Sequence, residues 1–313
     1  MSTSVIIPTV ARPDMTLRLL SLLAQQTTPP DEIIIAEQGG NAWDLKDIPP
    51  TLRDSVTILP LEVKSLAYAR CVAAEDAHGD ILIFFDDDIL LRPDYITCAI
   101  DYLSQNPSCL AVGGLYLDQT VTTRSPLTLT IGRMLWIYSK GQANRILLSG
   151  WGDYVRGEHA RHPTNAQWLF GCNIAVRADA LRRVPFESSM RAWSFLEDLF
   201  WGAEMTRTFG PCMTILPALS VVHAPSESTG AVSRTTVRMR IVHRTIFWRR
   251  YIWPHSHLSF IPFCLGMIAN LILILRQARK PWVITEHLKT WSFLISHPSL
   301  EWNDANSFIF DQN

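Results

Sequence analysis

Over the first 117 positions, short apolar runs alternate with stretches whose apolar residues recur every three to four positions. Ser4–Pro8 (SVIIP) reads as a strand, and residues 16–26 read as a helix with Leu17, Leu20 and Leu23 on one face and Asp14 near its start. Strands follow at Glu32–Ala36 (EIIIA) and Val56–Leu59, then a helix at Leu66–Ala77. The fully apolar strand Asp80–Phe85 runs directly into three aspartates. A helix at Arg92–Gln105, with Pro93 in its first turn, and a strand at Leu110–Leu117 complete this half. Buried strands separated by helices predict an α/β fold, a mostly parallel central sheet flanked by helices. Ligands of such sheets sit at the carboxyl ends of the strands.

Periodicity fades over 118–166, which reads as a variable insertion with one helix near Leu129–Tyr138. It returns with a strand over Gln167–Arg177 (QWLFGCNIAVR), interrupted by Gly171, and a helix over Leu196–Phe209 closed by Gly210 and Pro211. A last strand, Leu219–His223, ends on a histidine. The reading divides the chain into a catalytic part, 1–232, and a basic, apolar, helical part, 233–313. Residues 234–250 carry six arginines and no acid, and Leu258–Leu275 runs 18 residues without a charge. Eighteen is short for a bilayer span, and Pro262, Gly266 and Asn270 weaken that assignment. A helix lying on an anionic membrane surface is the favoured reading, against a true span or a helix buried in a core or oligomer.

Composition agrees: hydrophobic residues make up 48% of the chain and charged ones 18%, with a mean hydropathy of +0.10. The formal net charge of −1 gives no overall basic field for nucleic acid. Six scattered cysteines without a CxxC pair read as reduced thiols of a cytosolic protein. The N-terminus carries neither a charged leader nor a cleavage site.

Three features carry chemistry. Asp86, Asp87 and Asp88 repel one another at a strand end, and a hard divalent cation would relieve them. Strand geometry points Asp86 and Asp88 one way and Asp87 another; the triplet would also serve as a turn and cap. Glu197 and Asp198 lie among Phe195, Leu196, Leu199, Phe200 and Trp201, surroundings that raise a carboxyl toward the range of a general base. Their other reading is a cap in a first helical turn. His223 is either structural or the imidazole that completes a metal site begun by Asp86 and Asp88. Arg70 lies before the aspartate strand, where it could reach a phosphate or simply be solvated.

In this order, the pieces resemble the inverting family 2 glycosyltransferases of the GT-A (Rossmann-like) fold, of the bacterial surface-polysaccharide and glycolipid type. Ser4–Thr9 resembles that family's first strand, and Glu32–Gly40 its second, with Glu37 where aspartate is commoner. Leu66–Arg70 resembles the segment with an arginine before the metal strand, and Phe84–Asp88 the DxD motif. Phe170-Gly171-Cys172-Asn173 resembles the acceptor-side strand, Glu197-Asp198 the ED motif, and His243–Pro254 the Arg/Tyr-rich tail.

The resemblance implies a hexosyl transferase in which Asp86, Asp88 and His223 hold Mn2+ or Mg2+ and Asp198 is the base. Pro8, Thr9, Arg12, Glu37, Arg70, Asp86 and Asp87 would bind the nucleotide sugar, a UDP-sugar first among candidates. Trp168, Phe170, Gly171, Cys172 and Glu197 would serve the acceptor. Residues 224–236 are expected as a lid. The acceptor would be a saccharide or a lipid-linked one, and residues 238–280 would dock on the inner, cytoplasmic face of a membrane or on a second copy of the chain. Competing readings are a Mg2+-dependent phosphotransferase and a catalytically silent nucleotide-sugar-binding or membrane scaffold protein.

Overall fold

β1 (Thr3–Thr9) is buried at all seven positions, which requires cover on both faces of the sheet it founds. The computed structural model describes residues 1–40, 45–117, 125–223 and 232–311. They form two compact units: Met1–Thr122 with Val155–Ser226, and Thr123–Tyr154 with Glu227–Asn313. The expected division at 232 placed 118–166 in the catalytic part, whereas here Thr123–Tyr154 groups with the C-terminal helices.

In the first unit, α1 (Pro13–Leu23) opens on a proline whose fixed φ suits the first helical position and buries Thr16, Leu19, Leu20 and Leu23. β2 (Glu32–Glu37) and β3 (Val56–Pro60) add in parallel on one side of β1. α2 (Leu66–Asp76) starts at Ser65, whose hydroxyl accepts from the Tyr68 amide at 3.1 Å. It returns the chain to β4 (Ile81–Phe85), parallel to β1 on its other side. β5 (Ile89–Leu90), α3 (Tyr95–Gln105), β6 (Ala111–Gly113) and β7 (Tyr116–Leu117) follow. The second unit then contributes α4 (Pro126–Met134), β8 (Arg145–Ile146) and β9 (Gly152–Asp153). The first resumes with β10 (Thr164–Ala166), β11 (Asn173–Arg177), α5 (Ala178–Arg183), α6 (Glu197–Phe209), β12 (Met213–Ile215) and β13 (Val221–His223).

The main sheet runs β10-β12-β6-β11-β4-β1-β2-β3. β11 is antiparallel to β4 and β6, β10 is antiparallel to β12, and the other pairs are parallel. Side-chain alternation divides the core: Ile6, Ile34, Leu82 and Phe84 face one way, and Val5, Ile7, Ile33, Ile35, Ile83 and Phe85 the other. The small sheet β5-β13-β7 pairs His223 with Ile89, directly after the aspartates.

The structure corrects four expected elements. The strand at 110–117 breaks after Gly113, because a Cβ on Gly114 would fall 1.8 Å from the Leu219 carbonyl oxygen. Only Asn173–Arg177 of 167–177 is strand. The third helix begins at Tyr95, so Pro93 precedes it. The helix foreseen near Leu129–Tyr138 is Pro126–Met134.

In the second unit, α7 (Arg234–Tyr251) is buried along most of its length, Arg238 and Arg244 included, while Arg234 and Arg250 are exposed. Arg238 is 1% exposed, and its Nε donates to Glu286 while Nη1 donates to the carbonyls of Phe308 (3.0 Å) and Asp311 (2.6 Å). The Arg244 guanidinium lies 3.9 Å over the Trp151 ring and donates to the Gly150 carbonyl at 2.7 Å. Trp248 stacks on Phe263 at 4.2 Å, joining α7 to α8 (Phe260–Ala278). α9 (Trp282–Ser296) and α10 (Trp302–Phe310) complete the bundle. Of the α7 arginines expected on a membrane face beginning at 238, Arg238 and Arg244 thus serve the interior, whereas Arg250 is exposed. His257–Ala278 is long and apolar enough to cross a membrane by length and composition alone. One side of it is buried, through Pro262, Phe263, Gly266, Met267, Ala269, Asn270 and Ile274. Ile261, Ile268 and Ile272 are exposed on the other.

Candidate active site

β1 and β4 lie side by side and in parallel, so their carboxyl ends deliver Thr9 and the three aspartates to one place. Thr9 Oγ1 donates to Asp87 Oδ2 at 2.6 Å. The Arg12 guanidinium follows β1 and spans two carboxylates, with Nη2 at 2.8 Å from Asp87 and Nη1 at 3.1 Å from Asp88. From β13, His223 Nε2 meets Asp88 Oδ1 at 2.9 Å. Asp87 and Asp88 are buried, whereas the Asp86 side chain is 30% exposed. These residues line a cavity of about 370 Å³ together with Pro8, Gln38, Lys64 and Trp193.

Burial pushes the Asp87 carboxyl up to about 6, although the Thr9 hydroxyl and Arg12 pull it down. Burial also raises Asp88, but the hydrogen bond and charge of His223, with Arg12, outweigh it and leave Asp88 below its ordinary value. The two neighbours are therefore tuned apart, Asp88 below and Asp87 above the ordinary carboxylate value.

A second carboxylate group is fastened to the first by Arg70. Its buried guanidinium donates through Nη2 to Asp86 at 2.8 Å and to the Gly171 carbonyl at 2.7 Å, and through Nη1 to Glu197. A Cβ on Gly171 would lie 2.5 Å from the Glu197 carboxylate and 2.7 Å from the guanidinium, so any larger residue there would displace this pair. Glu197 and Asp198 occupy the first turn of α6, and Asp198 Oδ1 accepts from the Leu199 amide at 2.8 Å. Burial raises both carboxyls. Glu197 is raised further by Asp198, and Arg70 opposes the rise in each.

Among the described residues, no three His, Cys, Asp or Glu side chains already form a ligand array. The donor chemistry nevertheless fits a divalent ion. The 2.9 Å between Asp88 Oδ1 and His223 Nε2 is close to the ~3 Å between adjacent ligands of an octahedral ion with bonds of about 2.1 Å. The Arg12 guanidinium meanwhile supplies positive charge to Asp87 and Asp88.

Of the residues singled out from the sequence, Pro8, Thr9, Arg12, Asp86, Asp87, Asp88 and His223 share the cavity. Glu37 instead is buried, with Oε1 accepting from the amides of Gly39 (2.6 Å) and Ala11 (3.3 Å), so it shapes its own loop. Arg70, at 0% exposure, holds Asp86 and Glu197 instead of reaching a phosphate. Trp168 and Cys172 are buried, and Phe170 packs between Trp168 (4.9 Å) and Tyr116 (6.2 Å). Trp168 and Cys172 therefore offer little surface to an acceptor, while Phe170 is half-buried. Gln38, Lys64 and Trp193 were not foreseen, because each lies in an aperiodic loop without a motif. Of the expected lid, 224–231 lie outside the described residues, and α7 begins at Arg234.

Residues 4–180 match the family model described as Glycosyl transferase family 2. The chain belongs to that family. It is 30% identical over 165 residues to a glucosyl-dolichyl phosphate glucuronosyltransferase of Haloferax volcanii, a match covering 52% of this chain and 48% of that protein. The chain thus spans about half the length of this curated relative. Among solved structures, the Pyrobaculum calidifontis mannosyltransferase PcManGT with GDP-Man and Mn2+ is 14% identical with a TM-score of 0.54, over 98% of this chain and 78% of that one. S. aureus TarS 1-349 with UDP-GlcNAc is 12% identical with a TM-score of 0.61, over 95% and 81%. At such identities the likeness establishes the fold, the mostly parallel GT-A sheet followed here by a C-terminal helical region.

Proposed function

We propose that this family 2 glycosyltransferase moves a hexosyl group from a nucleotide-diphosphate sugar to an acceptor hydroxyl with inversion at the anomeric carbon. The observation that carries the reading is the convergence of Asp88 and His223, with Asp86 tied through Arg70 to Glu197 and the neighbouring Asp198. One side of this constellation suits a cation and a diphosphate. The other holds a carboxylate raised toward neutrality.

Asp88 and His223, with Asp86 beside them, would hold Mn2+ or Mg2+, which when bound supplies positive charge to the departing diphosphate. Thr9 and Arg12 keep Asp87 and Asp88 aligned. Asp198, whose carboxyl burial raises and whose position the Leu199 amide fixes, takes the acceptor proton as the hydroxyl attacks. Arg70 sets the spacing between metal side and base side. The PcManGT structure is a complex with GDP-Man and Mn2+ and the TarS structure one with UDP-GlcNAc, and they support a donor of this class, a UDP-sugar first.

The Haloferax relative is named for a dolichyl-phosphate-linked substrate, which favours a lipid-linked acceptor in polysaccharide or glycolipid assembly. The exposed isoleucines of α8, followed by the exposed Arg276, Arg279 and Lys280, suit a helix lying in the plane of an anionic membrane's inner face. The test is transfer to a lipid-linked or simple glycoside acceptor, with the anomeric configuration of the product read by NMR. An α-linked donor should give a β-linked product. A product that retains the donor's configuration would overturn the single-displacement assignment to Asp198.

A further inference from the structure

Just before α6 the backbone turns left-handed at every second residue. φ is +55° at Ala192, +48° at Ser194 and +70° at Leu196, in residues that each carry a Cβ. This conformation is disfavoured for such residues, and three within five positions persist only where the surroundings fix them. They are fixed here. The Ala192 amide donates to the Lys64 carbonyl at 2.9 Å, and the Leu66 amide donates to the Ala192 carbonyl at 2.8 Å. Ser194, at 0% exposure, accepts from the Ala67 amide through its hydroxyl at 3.3 Å. Ser65, also buried, donates to the Met190 carbonyl.

Between the two clamped residues stands Trp193, 43% exposed, on the wall of the cavity that holds Asp86, Asp87 and Asp88. Its ring is braced at 5.1 Å by Phe195. A loop needs no strain to leave a side chain in solvent, and an indole gains more than most side chains from burial. Here a strained, over-determined backbone presents one at a fixed place, five residues before Asp198. The wall is mixed: Pro8, Val10, Leu66 and Ala192 are apolar, and its polar part includes exposed Lys64 and part-exposed Asp86.

We infer that Trp193 is a sugar-binding platform: a pyranose ring lays its C–H face on the indole and turns its hydroxyls toward the polar part of the wall. Nothing in the motif set marks this residue. The inference rests on the glycosyltransferase reading of the same cavity. The pyranose belongs either to the donor or to the acceptor, which share this chemistry.

The test uses full-length wild-type, Trp193→Ala and Trp193→Phe proteins with Mn2+. They are titrated with UDP and GDP, with UDP-GlcNAc and GDP-mannose, and assayed for transfer to a panel of methyl pyranosides. A donor platform predicts that Trp193→Ala weakens the sugar nucleotide about tenfold and leaves the bare nucleotide unchanged. An acceptor platform predicts an acceptor KM raised by about the same factor at unchanged donor KM. Trp193→Phe should retain most of the wild-type binding in either case, and melting temperatures should agree among the three. Equal loss for nucleotide and sugar nucleotide, or no change in any constant, overturns the platform while leaving the enzyme reading intact. Failure of the wild-type protein to bind any nucleotide defeats the enzyme reading, and the platform with it.

Discussion

Replacing Arg70 by methionine keeps the length and apolar stem of the side chain but strips Asp86 and Glu197 of their shared buried cation. Breaking a buried pair from one side costs about 3–5 kcal/mol, because the charge left behind has lost water as well as its partner. Arg70 is 0% exposed and Glu197 6%, so solvent screening reduces this little. The cost depends on pH, with a definite sign. Burial already raises the folded-state pKa of Glu197, and Arg70 is the main force lowering it, so the variant's value rises further. A carboxyl raised in the folded state favours folding below its unfolded value, and that contribution is lost as pH rises through the folded value. Glu197 already stands at about 8 in the wild type, so the deficit of Arg70→Met should be full only well above pH 8 and level off below it. It should shrink by up to about 1.4 kcal/mol per pH unit wherever the variant's Glu197 holds a proton that the wild type's does not. Urea unfolding followed by tryptophan fluorescence at pH 9.5 and 8 measures this. Arg70→Met/Glu197→Gln should recover most of the loss. A deficit below about 1 kcal/mol, or a double variant no better than the single one, would refute the argument that Arg70 is a buried clamp.

Asp198→Asn should lower kcat by roughly 10²–10⁴ with donor affinity unchanged, as checked by transfer kinetics and donor titration. Because Asp198 must be ionised to take a proton and its carboxyl is raised, the acid limb of kcat/KM should lie above the ordinary aspartate range, with activity rising as pH increases through it. A limb at or below pH 4 would contradict the role. On the second unit, Ile261→Glu with Ile268→Glu should abolish flotation with anionic liposomes at unchanged melting temperature, both positions being exposed. Flotation that survives both changes would point to another face.

Much of the sheet was legible because its strands are apolar runs bounded by turns. β1, β2, β3 and β4 lie where SVIIP, EIIIA, residues 56–59 and DILIFF stand, and the aspartates follow β4 as the pattern implied. The juncture of Asp88 with His223 was readable only as two motifs in order; β13 pairing with β5 brings them together. β12, of three residues, is too short to show periodicity. The role of Arg70 was hidden for another reason: an arginine in the helix before the aspartate strand reads as a ligand-facing or solvated charge until Glu197 is seen to take its other side. Two arginines of α7, Arg238 and Arg244, misled in the same way. Six cations without an acid suggested a surface, yet Glu286, distant in sequence, neutralises Arg238 inside the bundle. The left-handed residues at 192–196 are not glycines, so nothing in their identities announces the turn that presents Trp193.

The most direct test of the central claim is a thermal-shift titration of wild-type and Asp88→Ala proteins with UDP, GDP and their sugars, each with Mn2+ and with EDTA. Binding at 100 times Kd stabilises by about 2.7 kcal/mol, ample for detection. The account predicts a shift for one base, dependent on metal in the wild type and absent from Asp88→Ala. A shift of equal size with EDTA, or one that survives Asp88→Ala, would contradict the assignment of Asp88 and His223 to the ion.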